Sequence, residues 1–154
     1  MSLHPTSGAW TEGVHRFPMR VYYEDTDAGG IVYHANYLRF AERARSESLR
    51  LIGWQHERML ADTGLGWVVR RVTIDFRRPA RLDDALVVET RLVELTAARV
   101  MARQTVLRDA DLLVGLDLEL VLLTATGSPS RIPASLVDAI RPHLVPPTSS
   151  SSSK

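Results

Sequence analysis

Asn36-Tyr37-Leu38-Arg39-Phe40-Ala41-Glu42-Arg43-Ala44-Arg45-Ser46-Glu47-Ser48-Leu49-Arg50-Leu51-Ile52 is the stretch on which the fold turns. Tyr37, Phe40, Ala41, Ala44, Ser48, Leu51 and Ile52 recur at steps of three and four residues, so they form one face of a helix. Arg39, Arg43, Glu47 and Arg50 fall on the opposite face, where Arg43 and Glu47 are spaced as an i,i+4 ion pair. Gly53 follows at the position of a left-handed C-terminal cap. Ala41, Ala44 and Ser48 are small, which lets the helix backbone come close to whatever it covers.

What it covers is written at the other end of the chain. From Leu112 to Leu123 the residues Leu112, Val114, Leu116, Leu118, Leu120 and Leu122 point one way, with Asp117 and Glu119 on the other side. A row of that kind needs an apolar cover, and the helix is the one long amphipathic element available to supply it. Leu86 to Glu94 and Arg99 to Leu107 read as further strands, and Arg108-Asp109-Ala110-Asp111 reads as a tight turn. Val68, Val72, Ile74 and Phe76 form one face of another strand against Arg71, Thr73 and Asp75, with Arg70 breaking the apolar side. Phe17 to Glu24, with Pro18 near its start, suits a first strand. A short helix is expected near Gln55 to Asp62, and a last one, Pro133 to Leu144, outside the main packing. The fold class is therefore α+β: a curved antiparallel sheet wrapped around one long central helix.

With 154 residues and 45% hydrophobic content, the chain supports one domain. Residues 15–145 are expected to form it, with residues 1–14 a flexible N-terminal tail and residues 146–154 a disordered Ser-rich tail. A net charge of +1 provides no global field for nucleic acid. The absence of cysteine removes disulfides, thiolate nucleophiles and zinc-thiolate sites together. Neither a signal-peptide pattern nor a run of about 20 apolar residues is present, so no membrane span is expected and the expected location is the cytoplasm.

Chemistry concentrates between the first strand and the helix, in Tyr23-Glu24-Asp25-Thr26-Asp27-Ala28-Gly29-Gly30-Ile31-Val32-Tyr33-His34-Ala35. Gly29 and Gly30 allow a tight turn, and the free N–H groups of a helix start carry partial positive charge. A carboxylate such as Asp27 beside such donors is what acyl transfer needs. The same residues also serve as ordinary caps and turns, and His34 fits a general base, an orienting donor or a plain polar position equally well. An EF-hand loop starting at Asp25 fails because Asn36 stands where its last ligand, Glu, is required. No Gly-x-Ser-x-Gly elbow and no P-loop occur.

The string Tyr22-Tyr23-Glu24-Asp25-Thr26-Asp27-Ala28-Gly29-Gly30-Ile31-Val32-Tyr33-His34-Ala35 resembles the 4-hydroxybenzoyl-CoA thioesterase family, and most closely its bacterial branch associated with the Tol–Pal system. The likeness continues through Glu42-Arg43-Ala44-Arg45 and through Phe76 to Asp84. It implies a hot-dog fold, and an acyl-CoA thioesterase in which Asp27 is nucleophile or general base, the N–H of His34 polarises the carbonyl and the His34 side chain assists. It further implies a homodimer joined edge to edge with active sites between subunits, and pairing of dimers into a homotetramer. Gly29, Gly30, Tyr33, Arg70 and Arg78 are the expected substrate-binding residues. No metal or redox cofactor is expected, since coenzyme A belongs to the substrate. A carrier-protein thioesterase, a non-catalytic acyl-CoA or protein-binding module and a dehydratase are the competing readings.

Overall fold

The computed structural model describes residues 3–145 and places one helix against a seven-stranded antiparallel sheet among those residues. In chain order the elements are β1 (Ala9–Thr11), β2 (Val14–Arg20), α1 (Asn36–Leu51), α2 (His56–Thr63), β3 (Gly66–Phe76), β4 (Ala85–Leu95), β5 (Arg99–Arg108), β6 (Asp111–Leu123), β7 (Pro129–Ser130) and α3 (Ala134–Ile140). The strands lie in the order β1-β2-β4-β5-β6-β3, and β7 pairs with the end of β6. The Ser-rich stretch 146–154 lies outside the described residues.

The expected helix forms, and its inward face is the one the spacing gave: Tyr37, Phe40, Ala41, Ala44 and Ser48 are buried. Leu51, assigned to the same face, is instead exposed, because it lies in the last turn beyond the final core position. Gly53 takes a φ of 88°, and the N–H groups of Gly53 and Trp54 reach the carbonyls of Arg50 and Leu49, a Schellman closure. The Arg43–Glu47 pair is not made. Glu47 is taken by Arg50 at 3.2 Å and by the hydroxyl of Ser7 at 2.8 Å, so N-terminal chain competes for it.

Three other expectations change. The first strand runs Val14–Arg20 rather than from Phe17 to Glu24, because Tyr23–Asp25 turn into a 3₁₀ segment. Residues 9–11, in the stretch expected to be a tail, pair with β2 as β1, and Trp10 donates its indole N–H to the carbonyl of Ser48 at 3.1 Å. β1 covers β2 only from Val14 to Arg16, so Pro18 lies where that flank of β2 carries no ladder. The C-terminal helix does not lie outside: Leu136 and Ile140 are buried with Met59, Leu92 and Leu122 in a second apolar cluster.

Bulges explain the face assignments that fail. In β3 the register jumps between Val69 and Arg71, so Arg70 has no partner position and the alternation slips by one. Val69, opposite Leu120, therefore shares the face of Val72, Ile74 and Phe76, while Val68 faces outward opposite Val121. A second jump, between Val106 and Leu107, places Leu113 fully in the core and turns Leu112 away. The remaining row from Val114 to Leu122 is buried as expected. At the turn before it, Asp109 takes the positive φ (54°) that a two-residue hairpin requires.

Candidate active site

Tyr23–Asp25 and the following hairpin deliver the chain to the start of α1. Thr26 bridges Val32, the N–H of Asp27 donates to the carbonyl of Ile31 at 2.9 Å, and the N–H of Gly30 donates to the carbonyl of Asp27 at 3.0 Å. This is a three-residue hairpin loop in which Gly30 holds the left-handed position, φ 79°. Gly29 donates its N–H to Asp27 Oδ1 at 2.9 Å, which fixes the carboxylate against the turn. Asp27 is exposed, and its Oδ2 accepts no hydrogen bond among the described residues.

The acids of the segment divide into two kinds. Asp25 is buried; its Oδ2 accepts the N–H of Tyr22 at 2.8 Å, and its carbonyl accepts the N–H of Tyr33 at 3.0 Å and Asn36 Nδ2 at 2.9 Å. It clamps the 3₁₀ turn to the helix start. Asp27 carries no such structural load on its free oxygen.

The helix start differs in detail from the expectation. The N–H groups of Asn36, Tyr37 and Leu38 are consumed by the carbonyls of Tyr33, His34 and Ala35, at 2.8, 3.4 and 3.2 Å. The N–H groups of His34 and Ala35 donate to no acceptor among the described residues. The open donors thus sit one step before the helix, where two successive amides remain available to an oxyanion.

An open groove of about 330 Å³ adjoins these donors. Ile31 and Val32 come from the hairpin, His34 and Tyr37 from the helix start, and Phe76 to Pro79 from the end of β3. The His34 ring meets Tyr33 at 4.7 Å and the edge of Phe76 at 6.2 Å. Burial pushes the Tyr37 phenol up, and its oxygen accepts the N–H of Ala80 at 3.0 Å, which ties the Pro79–Ala80 wall to the helix.

Of the residues expected at a site, His34 and Arg78 line the groove, while Asp27, Gly29 and Gly30 form the adjoining hairpin and the Tyr33 ring meets His34 at a tilt. Arg78 lies 3.5 Å from Asp111, and its neighbour Arg77, also on the groove, is held by Asp75 at 2.7 Å. Arg70 is not brought there. It sits on the β3 bulge, six residues before Phe76, or about 20 Å along a strand, and is bound to Glu119 at 3.0 Å. Ile31, Val32, Tyr37, Phe76, Arg77 and Pro79 line the groove without being expected site residues, and Phe76, expected on a packed face, is 50% exposed. The available signal was its place at the end of an apolar row, next to Arg77 and Arg78. Among the described residues no group of three or more acidic or His side chains is arranged to hold a metal ion, and no helix is long and apolar enough to cross a membrane.

A family model described as the Thioesterase-like superfamily matches residues 21–140. Two curated relatives are the acyl-CoA thioesterase YbgC of Haemophilus influenzae, 48% identical over 93 residues (60% of this chain, 68% of the relative), and the acyl-CoA thioester hydrolase YbgC of Escherichia coli O157:H7, 44% identical over 106 residues (64% and 78%). A crystal structure of a probable thioesterase from Bartonella henselae superposes with a TM-score of 0.76 at 41% identity, covering 78% of this chain and 99% of that one. The helix-on-sheet architecture is the hot-dog fold of these proteins. The chain belongs to the Thioesterase-like superfamily and is an enzyme of that class, a thioester hydrolase.

Proposed function

We propose that the thioester cleaved is an acyl-CoA, and that Asp27 and the helix start do the work. The observations that carry this are the pair of open N–H groups at His34 and Ala35 and, on the hairpin that leads to them, a carboxylate with one unengaged oxygen. The names of the YbgC relatives support the CoA ester as substrate. In the reading with Asp27 as general base, its carboxylate takes a proton from water as the water oxygen bonds to the thioester carbon. The carbonyl oxygen becomes negative against the N–H of His34, and collapse breaks the carbon–sulfur bond, releasing free acid and the CoA thiol. In the reading with Asp27 as nucleophile, its carboxylate oxygen bonds to the thioester carbon while the same donors hold the oxyanion, the carbon–sulfur bond breaks to release the CoA thiolate, and water hydrolyses the resulting mixed anhydride to the free acid and Asp27. The His34 side chain assists the water or the leaving thiolate.

The test is thiol release by the full chain from short, long and aromatic acyl-CoAs, each compared with the same acyl group on a carrier protein. The expected result is turnover of at least one CoA ester that exceeds turnover of the carrier-bound form. No release from any CoA ester by a folded protein would sink the reading and favour the carrier-protein or binding-only alternatives.

The proposal includes a homodimer joined through β3. This strand is 11 residues long and lies at the free end of the strand order, with Val68 and Val69 exposed. A long unpaired edge with exposed valines is a template for another strand. Sedimentation should find a dimer or a dimer of dimers in the unaltered protein, and Val69→Lys should shift it toward monomer. A wild-type monomer at micromolar concentration would refute the pairing.

A further inference from the structure

Asp27 stands on a hairpin outside the sheet ladder, so its position depends on what the hairpin is seated against. The seat is one strip of chain, residues 79–84, between β3 and β4. Val32 donates its N–H to the carbonyl of Ala80 at 2.9 Å, Leu82 donates its N–H to the carbonyl of Gly30 at 3.4 Å, and Ile31 bridges Arg81. The two open donors at His34 and Ala35 are held differently, through the carbonyl of Asp25, which accepts Tyr33 N–H and Asn36 Nδ2. A shift of the strip therefore moves the carboxylate relative to the donors.

The strip has little packing to keep it in shape. Ala80 is buried, but Arg81, Leu82 and Asp83 are exposed, and Asp83 takes a positive φ of 71°, a conformation unfavourable for a residue with a side chain. Its ends are tied separately: the Ala80 N–H goes to the Tyr37 oxygen, and Asp83 and Asp84 exchange backbone bonds with Val21. What shapes the middle is the Asp84 side chain, whose Oδ2 accepts the N–H of Arg81 at 2.8 Å.

That carboxylate is fixed in turn from β5. Arg108 Nη1 donates to Asp84 Oδ2 at 2.8 Å and to the carbonyl of Pro79 at 3.3 Å, so one guanidinium nitrogen joins both ends of the strip to the sheet. The two side chains are 29% and 21% exposed, which places the pair partly out of water, where screening is weaker. Burial pushes the Asp84 carboxyl up, but the Arg81 N–H and the Arg108 guanidinium outweigh it and hold the group below the usual carboxylate range. Asp109 and Asp111 are the other acids acting on Arg108, and Asp111 lies 3.5 Å from Arg78.

We propose that Arg108, acting through Asp84, is a positioning residue for thioester hydrolysis: it locks the 79–84 strip on which the Asp27 hairpin is seated. Neither side chain lines the groove. The inference rests on the reading of Asp27 as the hydrolytic carboxylate, whereas the strut itself is a property of the fold and is measured apart from activity.

The first measurement is amide hydrogen exchange of the full chain by NMR. In Arg108→Met the N–H groups of Val32 and Asp27 are expected to exchange at least about tenfold faster, the scale for losing a hydrogen bond to a charged group, with the amides of β4 and β6 unchanged. The second is thiol release from the best acyl-CoA. Arg108→Met should lower kcat about ten- to hundredfold with KM within about threefold, the signature of a displaced catalytic group, and Arg108→Lys should recover part of it. In an Asp27→Asn background Arg108→Met should cost nothing further, since the carboxylate it positions is gone. Asp84→Asn, which keeps an acceptor for the Arg81 N–H, serves in the same measurements if Arg108→Met does not fold. Unchanged exchange at Val32 and Asp27 overturns the strut. Faster exchange with unchanged kcat, or an equal loss of rate in the Asp27→Asn background, overturns the positioning role. Full activity in Asp27→Asn alone overturns the proposal together with the reading of Asp27, and faster exchange at Val32 in Arg108→Met then distinguishes that failure from failure of the strut.

Discussion

Replacing Asp27 by asparagine is expected to lower thiol release from the best acyl-CoA by at least about 10²-fold, the scale for a group acting in the transition state, while leaving the fold intact. The substitution is suited to the geometry. An asparagine Oδ1 accepts the Gly29 N–H as the aspartate does now, at 2.9 Å, so the turn is preserved. What disappears is the negative charge on the unengaged oxygen, and with it both the basicity and the nucleophilicity that hydrolysis requires. The measurement is steady-state thiol release, with far-UV dichroism and the unfolding midpoint as controls. A drop of less than about threefold in a folded variant would remove Asp27 from the chemistry. Asp25→Ala is the informative contrast: its buried Oδ2 accepts the N–H of Tyr22, so that variant should lose stability.

Phe40→Ala is expected to cost about 3–5 kcal/mol of folding stability, the range for truncating a fully buried aromatic residue. Phe40 has no exposed surface, lies among the buried residues that α1 presses against the sheet, and meets the Tyr37 ring edge-on at 5.7 Å. Tyr37 in turn holds the Ala80 N–H beside the groove, so the cavity lies one contact away from the groove wall. Leu38→Ala, at a position 40% exposed on the same helix, should change stability by about 0.5 kcal/mol or less. Urea unfolding of the three proteins decides the matter. A loss below about 1 kcal/mol for Phe40→Ala would mean that α1 is not the cover of the sheet that its period implies.

The residues that made the helix legible are those whose position depends only on local geometry. Tyr37, Phe40, Ala41 and Ala44 repeat at helical steps, and that repeat fixes the buried face whatever the helix packs against. Gly53 ends the helix for an equally local reason, since a positive φ is cheap only without a side chain. The alternation from Val114 to Leu122 is likewise local, and so is the Asp27-to-Gly30 turn, whose glycine spacing foretold a tight loop. The motif string from Tyr22 to Ala35 carried the family assignment, which the match over residues 21–140 bears out.

Tertiary structure decided what depends on two segments meeting. Whether Val68 or Val69 shares the face of Val72 and Ile74, and whether Leu112 or Leu113 enters the core, follows from bulges, which exist only as a mismatch between paired strands. Asp25 and Asp27 read alike in sequence. One is buried because Tyr22, Tyr33 and Asn36 close around it, and the other stays open at the loop. Glu47 left its expected partner because distant Ser7 and nearby Arg50 both reach it. Arg70 was a plausible groove residue until Glu119 held it on the bulge. Arg108 gave no local sign of its setting, since its meeting with Asp84 joins residues 24 positions apart. Side-chain period is a property of one element; partners, faces at a bulge and the environment of a charge are properties of the packing between elements.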